Sequence, residues 1–434
     1  MIIKRDLINK IIPFLKRPEF ISIVGPRQCG KTTFLEILSG YLRRSLKIPA
    51  KLIKTITFED RKLLMEFNED PVIFVKSFIP SDISGKFYLM IDEFQYADDG
   101  GKKLKFIYDT FKTIKIIVTG SSSLDIKARV GKFMVGRMLN FELSPFNFYE
   151  YLLAHNKRMS SLYVERSKAI EDYILRGKRI SIKGKKDAFS PEFIPEYEEF
   201  VIWGGYPAVV LANTKVEKKK LLRDLYSSYV LKDIKTLLQL ATERNLFLLS
   251  QYLATQIGNV VVYQNLSQAS GLSYRKLVKH LNILKETFVC CEVKPFFRNK
   301  QKELSKNPKF YFFDLGFRNS LIDSMGSLRA RPDSGSIVEN AGFIRLKEIY
   351  TQVNRIHFWR TKAGAEIDFI ICGEDRITPV EVKYTTFTSE KLSRGFISFI
   401  DALKPERALV LTRDYWGMVK RGRTEVLFAP VYYL

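Results

Sequence analysis

Between Phe20 and Leu42 the chain reads FISIV, GPRQCGKTT, FLEILSGYL, and no other stretch restricts its fold as much. The first five residues are apolar and short, as expected of a parallel strand buried on both faces. The last nine carry apolar residues at helical spacing. Between them lies GxxxxGK[ST], the pattern of a loop that cradles phosphates when it joins a strand to a helix. The chemistry asks for these residue types. Glycines at 25 and 30 let the backbone turn so that successive N–H groups and the helix N-terminus face the anion. Lys31 brings a point charge to the β- and γ-phosphates, and the Thr32 hydroxyl is a magnesium ligand. Gly25, Pro26, Arg27, Gln28, Cys29, Gly30, Lys31, Thr32 and Thr33 are therefore the candidate nucleotide-binding residues. ATP with Mg2+ is the expected cofactor pair, although no adenine-specific signature separates ATP from GTP.

A second apolar run, FYLMI at 87–91, ends in Asp92-Glu93. Asp92 is placed to hold magnesium, usually through water, and Glu93 to polarise the attacking water. The competing reading is a pair of acids that only cap the next turn. A third run, 114–118, leads into Thr119-Gly120-Ser121-Ser122-Ser123. A polar group at that strand end would lie between the acid and the γ-phosphate. Ser121 and Ser122 are the candidates, with a plain helix N-cap as the alternative. Downstream stand Arg129 and Arg137. An arginine given to a neighbouring subunit's γ-phosphate stabilises transition-state charge, and Arg137 is the better placed; an ordinary surface arginine is the other reading. A role in trans would make a homo-oligomer plausible.

At 434 residues the chain is too long for one ordinary core. It carries 71 Lys+Arg against 47 Asp+Glu, a formal net charge of +24. That excess favours polyanionic partners, nucleic acid before an anionic membrane surface, unless it is only a solvated basic face. The four cysteines form no CxxC pair and there are three histidines, which argues against a Cys/His zinc site. Free thiols fit a reducing compartment. The N-terminal twenty residues mix charge into their apolar run, unlike a signal peptide, and no apolar stretch approaches a membrane span. A cytoplasmic protein with no membrane partner is the expectation.

The middle of the chain is less explicit. KRMSSLYVERSKAIEDYILRGKRISIKGKK reads as a charged helix followed by a basic insertion. Further on, EYEEFVIWGGYPAVV resembles a family signature in which Gly204, Gly205 and Pro207 make a tight turn ahead of a helix, with a packing role. From 245 to 314 the pattern suggests a winged helix: a short helix at 266–270, a turn at Gly271, and a helix with Leu277, Leu281 and Leu284 at i, i+4 and i+7. Arg275, Lys276, Lys279 and His280 then fall mostly on other faces. Two strands follow, joined by RNKQKELSKNP. Residues 271–310 hold ten Lys and Arg against three Glu. Arg275, Lys276, Lys279, Arg298, Lys300 and Lys302 are the candidate DNA contacts; a protein–protein spacer with a solvated hairpin is the rival reading.

Near the C-terminus Glu339 opens an amphipathic helix, Asp368 lies in AEIDFIIC, and Glu381 and Lys383 lie in TPVEVKYT. Asp, strand, turn, strand, Glu-x-Lys is the order of the PD-(D/E)xK nuclease core. Glu381 and Lys383, two apart, leave one face of a strand, and a hairpin would return them beside Asp368. Asp368 and Glu381 could then share a magnesium ion, with Lys383 stabilising the attacking water and Glu339 an outer ligand. A structural Asp–Lys salt bridge, or a nuclease fold that no longer cleaves, satisfies the same pattern.

GPRQCGKTTFLE, MIDEFQY, VTGSSS and GR…FELSPFNFYEY together resemble the ATPase domain of a large archaeal and bacterial family of AAA-type ATPases. That resemblance implies a winged-helix module and a C-terminal restriction-endonuclease-like domain. The expected architecture is an α/β multidomain chain: a P-loop AAA-type domain with a parallel sheet at 1–155, a helical connector at 156–243, a winged helix at 244–316 and a PD-(D/E)xK-like domain at 317–434. The expected activity is a magnesium-dependent ATPase acting with nucleic acid. An ATP-dependent DNA nuclease, and an ATP-operated switch or DNA-binding regulator with an inactive nuclease-like domain, are the alternatives.

Overall fold

The computed structural model describes residues 2–82, 85–120, 133–182, 185–229, 243–297, 299, 301, 303, 306–350, 355–373 and 376–434. Ser121, Ser122, Arg129, Arg298, Lys300 and Lys302 lie outside the described residues. The chain divides into two compact units, Met1–Phe146 with Glu286–Phe288, and Asn147–Lys285 with Val289–Leu434. The segments read as connector, winged helix and nuclease-like domain belong to the second, apart from Glu286–Phe288. Among the described residues no helix is long and apolar enough to cross a membrane.

The first unit is built on a parallel sheet of β1 (Phe20–Val24), β2 (Ile53–Thr57), β3 (Phe87–Asp92), β4 (Ile114–Gly120) and β5 (Met138–Glu142), in the order β2-β3-β4-β1-β5. Strands β1, β3 and β4 are buried throughout, which is why they read as unbroken apolar runs. The helix Lys31–Arg44 lays Phe34, Leu35, Leu38 and Leu42 on one face of the sheet, against Ile21, Ile23, Met90 and Ile117. Elsewhere in the unit Phe58, Phe67, Phe74 and Phe94 pack ring to ring, with neighbouring centroids as close as 5.0 Å. Lys115 interrupts β4 yet is fully buried, because its ammonium donates to the carbonyls of Phe14 (2.9 Å), Arg17 (3.2 Å) and Glu19. Burial pushes its pKa down to about 7.

The second unit contains a six-stranded mixed sheet and a separate hairpin. The hairpin pairs β6 (Cys290–Val293) with β7 (Lys309–Phe312), antiparallel. The sheet uses β8 (Ile356–Arg360), β9 (Glu366–Cys372), β10 (Ile377–Lys383), β11 (Arg407–Thr412), β12 (Gly417–Arg421) and β13 (Thr424–Pro430), ordered β12-β13-β11-β10-β9-β8. Main-chain bonds tie the segment after β6 to the edge strand, Phe296 N–H to Phe358 O at 2.6 Å and Phe358 N–H to Lys294 O at 3.2 Å. The helix Ser334–Tyr350 is docked by Asn340, whose amide accepts from Phe312 N–H and donates to Phe312 O, both at 2.8 Å. One side chain thus serves both main-chain groups of a strand residue, as a neighbouring strand would.

The WGGYP segment ends the helix Ser190–Trp203 at a close crossing with the helix Leu315–Leu321. Gly204 has φ 77° and ψ −171°, a region essentially reserved for glycine, and an added Cβ would lie 2.3 Å from Asp314 Oδ1. Asp314 caps the second helix through Phe317 N–H and holds Gly205 N–H, each at 2.7 Å. Burial nonetheless pushes its carboxyl up to about 6. All three tryptophans, Trp203, Trp359 and Trp416, lie in this unit, so their fluorescence reports its unfolding alone. Gly204→Ala is expected to lower its stability by roughly 2–4 kcal/mol, combining backbone strain with a clash. The measurement is the tryptophan-monitored urea midpoint, and an unshifted midpoint would refute the constraint.

Candidate functional site

In a parallel sheet every strand ends on the same edge, so the loops after β1, β3 and β4 collect there. The loop after β1 crosses so near the turn after β5 that a Cβ on Gly25 would lie 2.1 Å from the Leu143 carbonyl oxygen. Gln28 (φ 58°) and Gly30 (φ 93°) are left-handed, which folds the loop back before the helix begins. Lys31 is only 5% exposed and donates to the carbonyls of Gly25 (3.0 Å) and Pro26 (2.9 Å). An ammonium has three donors, so one stays available to a phosphate oxygen. Cys29 is fully buried among the aliphatic side chains behind the loop, and burial raises its thiol pKa. It is a small core residue and takes no part in the chemistry of the loop's open face, where Thr32 and Thr33 are exposed.

The two halves of the site meet at Asp92. Its Oδ2 accepts the Thr32 hydroxyl at 2.5 Å, and its Oδ1 accepts the Thr119 hydroxyl and, at 3.1 Å, Glu93 N–H. Asp92 is 5% exposed, and among the described residues its partners are hydroxyls and an amide, with no cation. A buried carboxylate held only by neutral donors suits a bound cation. Glu93 is left-handed (φ 53°), half-buried, and receives the side-chain amide of Gln95.

Sequence reasoning looked for the polar group of β4 at Ser121 and Ser122, past the strand. The structure extends β4 to Gly120 and shows Thr119, its penultimate residue, on the acid. A threonine ending an apolar run beside a P-loop was the available signal. Arg5 was also missed. It is 4% exposed and donates to the carbonyls of Cys29 (2.8 Å), Ser144 (2.5 Å) and Pro145 (3.4 Å), with its guanidinium 4.9 Å over the Phe146 ring. It braces the back of the phosphate loop, and nothing in the local sequence marks it. Arg137 is not brought to this edge. It immediately precedes β5, its carbonyl bonds Phe20 N–H at the start of β1, and its side chain pairs with Asp109 at 3.4 Å.

In the second unit, the paired register of β9 and β10 runs from Ile377↔Cys372 to Val380↔Phe369. Beyond it the Asp368 side chain, not a main-chain carbonyl, accepts Val382 N–H at 2.7 Å. Glu381 is buried, accepts from Ser393 Oγ at 3.1 Å, and pairs with half-exposed Lys383 at 3.2 Å. Glu339 Oε1 meets Lys309 Nζ at 3.0 Å and the Tyr311 hydroxyl at 2.5 Å. Burial first, then Asp368, raises the Glu339 pKa; burial likewise raises those of Asp368 and Glu381. Among the described residues no three His, Cys, Asp or Glu are grouped to hold a metal ion.

Of the candidate DNA contacts, Arg275, Lys276 and Lys279 are exposed on the helix Tyr274–Glu286, beside exposed Tyr274. Its Leu277, Leu281 and Leu284 are buried. His280, read onto the polar side of that helix, is instead 4% exposed and bonds Lys276 O at 2.6 Å. One turn apart on the helix, the two groups meet at the spacing of a backbone hydrogen bond.

Comparison with known proteins matches residues 17–152 to a family model described as an AAA domain. Residues 194–327 and 334–431 match two domains of unknown function, DUF8612 and DUF4143. A Haemophilus influenzae protein described as uncharacterized is 23% identical over 99% of this chain and 97% of its own length. A Methanocaldococcus jannaschii protein, also described as uncharacterized, is 24% identical over 86% of this chain and 76% of its own. Among solved structures, the Walker-type ATPase PABY2304 of Pyrococcus abyssi aligns over 74% of this chain and 96% of its own, at 15% identity and a TM-score of 0.45. The first unit carries an AAA-type P-loop ATPase domain.

The Thr119–Asp92 bond yields a test. In a double-mutant cycle of Thr119→Val and Asp92→Asn, a hydrogen bond to a buried charge should appear as a coupling of about 1.5–3 kcal/mol. Denaturant unfolding measures it, and additive effects would show that the bond contributes nothing.

Proposed function

We propose that this protein is a magnesium-dependent ATPase that acts with nucleic acid. The observation that carries the reading is the Thr32 hydroxyl on the Asp92 carboxylate at 2.5 Å, which joins the phosphate loop to the acid of β3. Thr32 and Asp92 are the residues that would hold the ion, Thr32 directly and Asp92 through water. When bound, magnesium offsets the charge of the β- and γ-phosphates and draws electron density from them.

The chain's own groups supply the rest. Loop amides and the start of the helix Lys31–Arg44 bind phosphate oxygens. Lys31 gives its remaining N–H to the γ-phosphate side. Thr119 fixes the orientation of Asp92. Glu93, steadied by Gln95, is placed past the end of β3 to orient a water and take its proton. Arg137 enters only across a subunit contact, on the γ-phosphate of a second copy.

Lys31→Ala is expected to abolish nucleotide binding, and Glu93→Gln to keep binding while losing turnover by roughly two or more orders of magnitude. Fluorescent-nucleotide titration and phosphate release measure the two quantities. Turnover that survives Glu93→Gln would move the water-orienting role elsewhere.

The nucleic-acid reading is supported by the +24 net charge and by the exposed Arg275, Lys276 and Lys279 on one helix. Duplex DNA binding should weaken steeply with salt, and removing these three charges together should reduce the log–log salt slope by about 2–3. Affinity independent of salt would rule out phosphate-driven binding.

A further inference from the structure

The basic insertion after the helix Lys157–Arg176 has no part in the ATPase reading, yet it is held in a definite place. Residues 176–186 contain six Lys and Arg and no acid. The helix stops at Gly177, whose φ of 73° turns the chain, and Lys178 N–H bonds Asp172 O at 3.2 Å. The Asp172 carboxylate meets Lys178 at 3.1 Å, Arg176 at 3.5 Å and Lys168 at 3.8 Å. The far end of the insertion is bonded to the turn between β11 and β12. Trp416 N–H donates to Lys185 O at 2.7 Å, and Asp187 N–H to Asp414 O at 2.9 Å. Asp187 is buried, and its carboxylate accepts the hydroxyls of Tyr432 (2.8 Å) and Tyr433 (3.0 Å) and the Trp416 indole N–H (3.4 Å). Its charge is thus committed to the protein's own donors.

Helix, insertion and Trp416 together line a cavity of about 430 Å3. Ile180, Ile182 and Trp416 give it an apolar wall, and Arg166, Arg179 and Lys186 add three cations. The Arg166 guanidinium lies 5.9 Å over the Trp416 ring, while Arg179 and Lys186 are exposed. Among the described residues neither Arg166 nor Lys186 is ion-paired, and Arg179 meets Glu425 only at 3.9 Å. Exposed Glu165 is the other acid of the lining. We propose that this cleft seats one unpaired base of a single-stranded nucleic acid, with Arg166, Arg179 and Lys186 on the flanking phosphates. The volume lies in the range of sites that enclose a small ligand. An apolar wall among cations suits a strand whose bases are free, whereas bases paired within a duplex cannot enter. No residue of the helix Tyr274–Glu286 lines this cavity. The cleft is therefore a second contact, specific to single strands.

The inference rests on the nucleic-acid reading and is tested so that the two can fail separately. The full chain, without ATP, is titrated with a fluorescent oligothymidylate of about fifteen nucleotides and with a duplex of equal length. Combining Arg166→Gln, Arg179→Gln and Lys186→Gln should weaken strand binding roughly tenfold or more and lower its log–log salt slope by about 2. Duplex affinity should change by less than about twofold. An abasic strand of equal length should bind wild type roughly fivefold or more weakly than oligothymidylate. The tryptophan-monitored urea midpoint checks folding. Arg179→Gln and Lys186→Gln, at exposed positions, carry the test singly if the triple variant is unfolded. Strand affinity unmoved by these changes, with duplex binding still lowered by removing the Arg275, Lys276 and Lys279 charges, would overturn the cleft alone. Equal losses on strand and duplex, or undiminished binding of the abasic strand, would reduce the cleft to a basic face and overturn it too. Wild type that binds neither ligand would overturn both readings.

Discussion

The first unit depends on one buried carboxylate. Asp92 ends β3, two strands away from the phosphate loop, and β4 lies between them. A carboxylate in that position is costly unless every lone pair is served. Thr32 serves it from the loop, Thr119 from β4 and Glu93 N–H from its own chain. Because the strands are parallel and in register, these donors arrive on the same edge. The sheet order is therefore a requirement of the site as much as of the core.

The second unit solves a comparable problem differently. Its carboxylates, on one helix and on β9, meet an ammonium from β7. What makes that geometry possible is Asn340, which joins helix to strand by satisfying Phe312 as a strand neighbour would. Adjacent positions on the helix thus do two jobs. Asn340 fixes the hairpin, and Glu339 receives the side chains that the fixed hairpin presents.

Features written in local composition were legible in the sequence. The strand–loop–helix of 20–44 and the acid after β3 need particular residue types at particular spacings, and the structure brings Lys31, Thr32 and Asp92 together. The leucine spacing of the helix at 274–286 also predicted its buried side. Features created by distant packing were not legible. Nothing in the sequence around Lys309 marks it as buried, and its contacts with Glu339 and Glu366 come from distant segments. Lys115 disappears into an apolar run because three carbonyls from residues 14–19 receive it. Thr119 closes an apolar run, so its place on the Asp92 carboxylate follows from the strand continuing past Val118 to Gly120.

Arg5 carries a practical corollary. It stands fifteen positions upstream of the first strand, outside every recognisable motif, yet its guanidinium ties the carbonyl of Cys29 to the turn at 144–145. A fragment beginning at Phe20 would retain each signature residue and lose that brace. Dissection of this chain into minimal pieces should therefore preserve its opening segment.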